Sequence, residues 1–361
     1  MDFVYKFPVV RGIQAGREYY IAMIPLRMLG RLFPDEDEYV LPEYRAQRKL
    51  NEARIPVISR YITENKKSYV FSALAASIDG EFNFISVDEN GDVGTLEVSL
   101  DARFLINDGQ HRKAAILDAL NEAPEIGSET ISVVLYEDVG LARSQQIFTD
   151  LNKHAVKTSN SISELYDSRD YIAVLTRNVV ANVNFLNDYT DKEKDNLGKY
   201  SSNLFTLNTF YNANKRILSG RKLNEDTYES VYEFVNCYWK YISENMLQWN
   251  ELMNREISKV DLRENYIVTQ GVVIQSLGRI GAFFFDNQKL DMKNYLQKLR
   301  DIDWRRGAPI WKFRVIRADG KILTSNKAII LTANQIKKEL GIILNHEEKA
   351  KEKQFLENMG D

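Results

Sequence analysis

The apolar positions of this chain switch between two periods, and the switches mark its elements. Tyr19-Tyr20-Ile21-Ala22-Met23-Ile24 reads as a strand. Pro25 then opens a helical pattern through Leu26, Met28, Leu29, Leu32 and Phe33, which Pro34 and the acidic run from Asp35 to Glu38 close as a solvated loop. A second helical pattern passes through Ile58 and Ile62. From Tyr69 to Val98 the period falls to two, in Tyr69-Val70-Phe71, Phe82-Phe84-Ile85 and Leu96-Val98-Leu100, with the hairpin signals Asp79-Gly80 and Asn90-Gly91 between them. A strand at 103–106, a helix at 110–121, a strand at 131–136 and a helix at 141–152 follow as a βαβα arrangement. After Ser161 the pattern is mostly helical, as in Ile172-Val174-Leu175 and Val231-Phe234-Val235-Tyr238-Trp239. Near the end Thr332 is placed to cap a helix, with Gln335 at the capping-box position and Gly341 as its stop. These patterns predict an α+β or α/β chain, with a mixed domain over 1–160 and a mostly helical domain over 161–361.

The stretch Asp108-Gly109-Gln110-His111-Arg112 sits where the strand Phe104-Leu105-Ile106 gives way to a helix carrying Ala115, Ile116, Ala119 and Leu120 on one side. A strand, a glycine turn and a helix start aim backbone N–H groups at one point, and the helix dipole makes that point attractive to an anion. Gly109 permits close approach or a positive φ. Arg112 offers a bidentate fork for phosphate, and Asp108 either caps the helix or holds Mg²⁺. The plain alternative is an ordinary capped turn. A second polar cluster, Asn152 to His154, ends the following helix, and element ends are where α/β sites form.

Composition narrows the field. The formal net charge of −3 gives no global attraction to nucleic acid, so a DNA site must be a local patch. One candidate is the segment from Asp191 to Lys222, where Lys192, Lys194, Lys199, Lys215, Arg216, Arg221 and Lys222 outnumber Asp191, Glu193 and Asp195 among interleaved aromatic and polar residues. A solvated helix pair is the alternative there. Arg45, Arg48, Arg54 and Arg60 form a second basic stretch. The single cysteine, Cys237, excludes an intramolecular disulfide, and the three histidines form no zinc-ligand pair. The chain carries no phosphate-binding G-x-x-x-x-G-K-[ST] loop, no G-x-S-x-G elbow, no membrane span and no leader pattern. The expected setting is cytoplasmic, with no membrane partner.

Asp108–Arg112, together with F-T-D-L-N-K-H-A-V-K-T-S from Phe148, Y-R-A-Q-R-K-L-N-E-A-R-I-P from Tyr44, E-Y-Y-I-A-M-I-P-L from Glu18, I-D-W-R-R from Ile302 and I-I-L-T-A-N-Q-I-K from Ile329, resembles the DGQHR-domain family. The closest resemblance is to the DndB proteins of bacterial DNA phosphorothioation, in which sulfur replaces a phosphate oxygen. More distantly the chain is similar to ParB/sulfiredoxin-like folds and to nucleotide-hydrolysing restriction proteins. The resemblance implies a ParB/sulfiredoxin-like N-terminal domain, a helical DNA-contacting domain, and a transcriptional regulator (repressor) that binds promoter double-stranded DNA, with a homo-oligomer possible. It further implies ATP with Mg²⁺ bound by Gln47, Arg48, Gly109, Gln110 and Arg112, with the metal on Asp108. Slow hydrolysis would use Asp108, with His111 or Asn152 positioning water, as a switch on DNA affinity. Gln110 stands where a sulfiredoxin has its reactive cysteine, so that chemistry is absent. Two rivals stand beside this reading: a ParB-like nuclease or nickase using Asp108, Asp118 and Asp150, and a non-catalytic DNA-binding module whose D-G-Q-H-R turn is structural.

Overall fold

The computed structural model describes residues 3–34, 50–87, 89, 91–138, 140, 146–147, 149–151, 158–198 and 200–357. The chain divides into two compact units, Met1–Val156 and Lys157–Asp361, each built around its own apolar cluster. The expected α+β fold is what the chain adopts, with the sheet in the first unit and most of the helix in the second.

The first unit holds a seven-stranded sheet among the described residues: β1 (Val4–Gln14), β2 (Arg17–Pro25), β3 (Leu74–Asp79), β4 (Phe82–Ser86), β5 (Val93–Ser99), β6 (Arg103–Asp108) and β7 (Thr130–Glu137). Their spatial order is β4-β5-β1-β2-β7-β3-β6. The pairs are antiparallel except β3 with β7. Alternation on β5 buries Gly94, Leu96 and Val98, whereas β3 is buried from Leu74 to Ile78. One face is packed by α1 (Leu29–Leu32), α2 (Ile55–Glu64) and α3 (Gln110–Glu122), the last through Ala115, Ile116 and Ala119.

The sheet curls. Gly80 and Glu81 alone join β3 to β4, a reach of roughly 10 Å between Asp79 and Phe82, yet these strands hold the sixth and first places in the order. The ends of the sheet must therefore approach one another, and Phe7 of β1 meets Phe104 of β6 edge-on at 6.1 Å. Asp79-Gly80 is thus not the hairpin that its sequence suggests. Gly80 turns the chain at φ +139° where a Cβ would lie 2.7 Å from Ala102. The β4–β5 hairpin does form, with Gly91 at φ +76° in its loop; Asn90 lies outside the described residues.

Three further expectations are corrected. Tyr69-Val70-Phe71 is not a strand; β3 begins at Leu74, and the Tyr69 and Phe71 rings pack against each other at 5.7 Å. Strands β6 and β7 are not neighbours, because β3 lies between them and they run in opposite senses, so α3 is no parallel crossover. Thr332 caps nothing: it is buried mid-helix, and Ser325 is the cap. Of the expected helix at 141–152, residues 146–147 and 149–151 are helical and the rest lie outside the described residues.

The second unit is helical. It contains α4 (Asn160–Tyr166), α5 (Tyr171–Asn182), α6 (Asn184–Tyr189), α7 (Leu207–Leu218), α8 (Glu225–Asn245), α9 (Leu247–Met253), α10 (Lys259–Asn265), α11 (Gly271–Asp286), α12 (Met292–Gln297), α13 (Asn326–Glu339) and α14 (His346–Glu357). Two short parallel strands, β8 (Thr190–Asp191) and β9 (Phe205–Thr206), pair before α7. Trp239, Trp249, Trp304 and Trp311 are all fully buried here. Gly341 at φ +76° ends α13 as expected. Helix α14 is fastened by buried ion pairs from Arg314 to Glu352 at 2.7 Å and from Lys337 to Glu348 at 2.6 Å. Among the described residues no helix is long and apolar enough to cross a membrane.

Candidate functional site

The five-residue motif is built by the end of β6, a single left-handed glycine and the first turn of α3. Gly109 occupies the N-cap position at φ +100°, and a Cβ there would lie 2.4 Å from Leu74 Cδ2, so both conformation and space require glycine. Among the described residues no side chain caps α3. Asp108, one of the two roles of which was to cap, instead accepts from Arg112 Nη2 at 2.5 Å. Arg112 Nη1 donates to the Ser72 carbonyl at 2.6 Å, the Ser72 hydroxyl at 2.5 Å and the Ala73 carbonyl at 2.8 Å. The guanidinium therefore clamps the segment entering β3 to the end of β6. His111 Nε2 accepts from the Asn51 backbone N–H at 2.9 Å, which ties the start of α3 to the segment leading into α2.

Just before the motif the β3–β6 register slips between Ala75 and Ala76, so that Ala75 faces Asp108 while Ala76 faces Ile106. Asn107 is the extra residue. It is wholly buried, its Oδ1 accepts from Ser77 Oγ at 2.8 Å, and its Nδ2 has no partner among the described residues. A buried amide donor left unmet costs about 1–3 kcal/mol, and bulges of this kind re-aim side chains beside sites.

These groups line one cleft of about 420 Å³. Asn107, Asp108, Gly109, Gln110, His111 and Arg112 line it together with the apolar and aromatic Val57, Ile58, Tyr61 and Phe71 and the exposed Arg54. Tyr61 and Phe71 meet edge-on at 5.9 Å. Helix α2, whose Pro56 sits in its first turn, carries Val57, Ile58 and Tyr61 to this cleft. The sequence placed Arg54 only in a basic stretch and gave no sign of Asn107, because a bulge is a property of the pairing, not of the strand. A larger groove on the second unit, about 610 Å³ and lined by Ile342, Leu344 and Leu356, offers apolar surface, with Lys338 and Glu352 of its lining paired to each other at 2.6 Å. It brings no comparable set of polar groups together.

A family model described as DNA-sulfur modification-associated matches residues 7–343, nearly the whole chain. The chain belongs to the DndB family. No curated protein and no solved structure matches it.

In this DndB-family chain Gly109, Gln110, His111, Arg112 and Asp108 share the cleft, whereas Gln47, Arg48 and Asn152 lie outside the described residues. Among the described residues no group of three or more His, Cys, Asp or Glu is placed to hold a metal. Asp118 is exposed further along α3, and Asp150 accepts from Gln146 at 2.6 Å. Of the basic set in the second unit, Lys194, Lys215 and Lys222 are exposed, Lys192 donates to Asn187 at 3.4 Å, and Lys199 lies outside the described residues. Arg221 is paired with Asp286 at 2.6 Å and lies over Phe285. Arg216 is half-buried and bonded to the Gln275 and Asn326 amide oxygens at 3.0 and 3.1 Å.

Proposed function

We propose that this DndB-family chain is a DNA-binding regulator, a repressor, of the DNA sulfur-modification genes, and that a nucleoside triphosphate held in the Asp108–Arg112 cleft sets its affinity for DNA. The observation that carries this reading is the cleft itself: an Asn107 amide and a helix start that no described side chain satisfies or caps share about 420 Å³ with aromatic and apolar side chains. The positive end of α3 and the close approach allowed by Gly109 suit phosphate. Tyr61, Phe71, Val57 and Ile58 suit the flat apolar faces of a base, and Arg54 supplies an exposed cation. Arg112, already bonded on both terminal nitrogens, positions the walls. Mg²⁺ accompanying the nucleotide would meet Asp108 through the oxygen that Arg112 leaves, in keeping with an ion that takes one or two protein carboxylates and shares the rest with phosphates; it would neutralise phosphate charge. With Asp108 on Arg112 and His111 accepting from Asn51, the arrangement favours a binding switch over turnover. Lys192, Lys194, Lys215 and Lys222 of the second unit would meet backbone phosphates.

Calorimetry with a non-hydrolysable ATP analogue tests the cleft. Arg54→Ala, an exposed change, should weaken binding about ten-fold, the loss of one charge-assisted contact. DNA titrations with and without saturating analogue should differ a few-fold, and DNA should shift analogue affinity by the same factor. Absence of analogue binding by the wild type would sink the nucleotide reading. It would favour a second reading, a DNA-binding module with a purely structural motif, which the multiple bonds of Arg112 also suit. Nicking of supercoiled DNA would point to the nuclease instead.

A further inference from the structure

Helices α7 and α11 cross with their backbones in contact. A Cβ on Gly278 would lie 2.4 Å from the Ala213 carbonyl oxygen, and one on Gly281 would lie 2.8 Å from the Ile217 side chain. Arg216 precedes Ile217 and Arg279 follows Gly278, so the close crossing brings the two arginines together. Gln275, one turn before Arg279, accepts from Arg216 Nε, and Asn326 at the start of α13 accepts from Arg216 Nη1. Both acceptors are neutral amides. Burial and the charge of Arg279 hold the Arg216 guanidinium below its ordinary pKa. Arg279 Nε is itself buried, with no acceptor among the described residues. Among the described residues neither arginine has a carboxylate at ion-pair distance, and Glu347, which feels the charge of Arg279, is bonded to Lys351 at 2.5 Å.

Arg221 supplies the contrast, since Asp286 neutralises it. Two partly buried guanidiniums held together, with no carboxylate between them among the described residues, repel, and an anion at their terminal nitrogens would relieve that repulsion. The start of α13 adds the positive end of a helix, and Lys215 and Lys327 are exposed nearby in sequence on α7 and α13.

We infer that Arg216 and Arg279 form an oxyanion site for a phosphodiester of the DNA backbone. The terminal nitrogens of both arginines would donate to the non-bridging oxygens, the planar geometry that favours arginine over lysine. The assignment to DNA rests on the proposed function, whereas the anion site itself does not.

Arg279→Met and Arg279→Lys in the full chain test it, leaving the Arg216 hydrogen bonds in place. With melting of the second unit followed through its tryptophans, inorganic phosphate should stabilise the wild type beyond an equal concentration of sulfate-free salt. Arg279→Met should lose the part of that shift due to this site, whatever the first-unit cleft contributes. Without phosphate Arg279→Met should melt no lower than the wild type, since it removes an unmet donor and a repulsion. The slope of log affinity for duplex DNA against log salt should fall by about one unit in Arg279→Met, with partial recovery in Arg279→Lys. An unchanged phosphate shift in Arg279→Met overturns the site. A lost shift with an unchanged DNA slope overturns the DNA assignment and leaves a free phosphate compound as the ligand. Failure of the wild type to bind DNA at all sinks the proposed function and the DNA assignment, while the phosphate shift still decides the anion site.

Discussion

Glu164→Gln isolates a titration within the second unit. Glu164 on α4 is 9% exposed, and its Oε2 has no hydrogen-bond partner among the described residues. Burial first, then the charges of Asp195 and Asp170, push its carboxyl from the ordinary 4.5 to about 8. Neither neighbour is free to turn away. Asp195 accepts from the Asn160 and Ser161 amides at 2.8 and 2.9 Å, and Asp170 caps α5 and accepts from Tyr211 at 2.6 Å. Between pH 4.5 and 8 the unfolded chain has lost this proton while the folded chain keeps it, so stability falls as pH rises through that window and levels off above it. At about 1.4 kcal/mol per unit the full shift corresponds to roughly 5 kcal/mol, and residual solvent contact reduces this to about 2–4 kcal/mol. Glutamine keeps the shape and removes the charge. Urea unfolding followed by tryptophan fluorescence reports this unit, since all four tryptophans lie in it. Glu164→Gln should match the wild type near pH 5 and exceed it by about 2–4 kcal/mol at pH 9. Equal stability of the two at pH 9 would refute the reasoning.

Two perturbations test the motif as architecture. Gly109→Ala must accept φ +100° and a Cβ 2.4 Å from Leu74, and should destabilise the first unit by about 2–4 kcal/mol in hydrogen exchange of the β3 and β6 amides; a loss under about 0.5 kcal/mol would show that the turn relaxes freely. Arg112→Ala frees the Ser72–Ala73 carbonyls and Asp108 and should cost about 2–4 kcal/mol by the same measurement, with Arg112→Lys recovering only part because an ammonium cannot span acceptors on two segments. Full recovery by lysine would show that charge alone matters there.

Local pattern by itself determined much of this protein. Apolar runs marked β2 and β7, alternation marked β5, the 3.6-residue period marked α3, α5 and α8, and the glycine between Asp108 and Gln110 marked a strand-to-helix turn whose positive φ the structure bears out. Each signal depends on neighbours in sequence, and so each was legible there. What only the tertiary structure decided depends on partners. Asp79-Gly80 carries a hairpin signal, yet the strands it joins pair elsewhere and the sheet curls to let them meet. Thr332 has the composition of a cap, but Ser325 starts the helix about two turns earlier. Asn107 is an unremarkable strand residue until the β3–β6 register slips and leaves its amide without an acceptor. Arg216 and Arg221 read alike as basic surface residues. The backbone contact at Gly278 and the position of Asp286 make one of them half of an unneutralised pair and the other an ordinary ion pair, a distinction set by which helices cross and how closely.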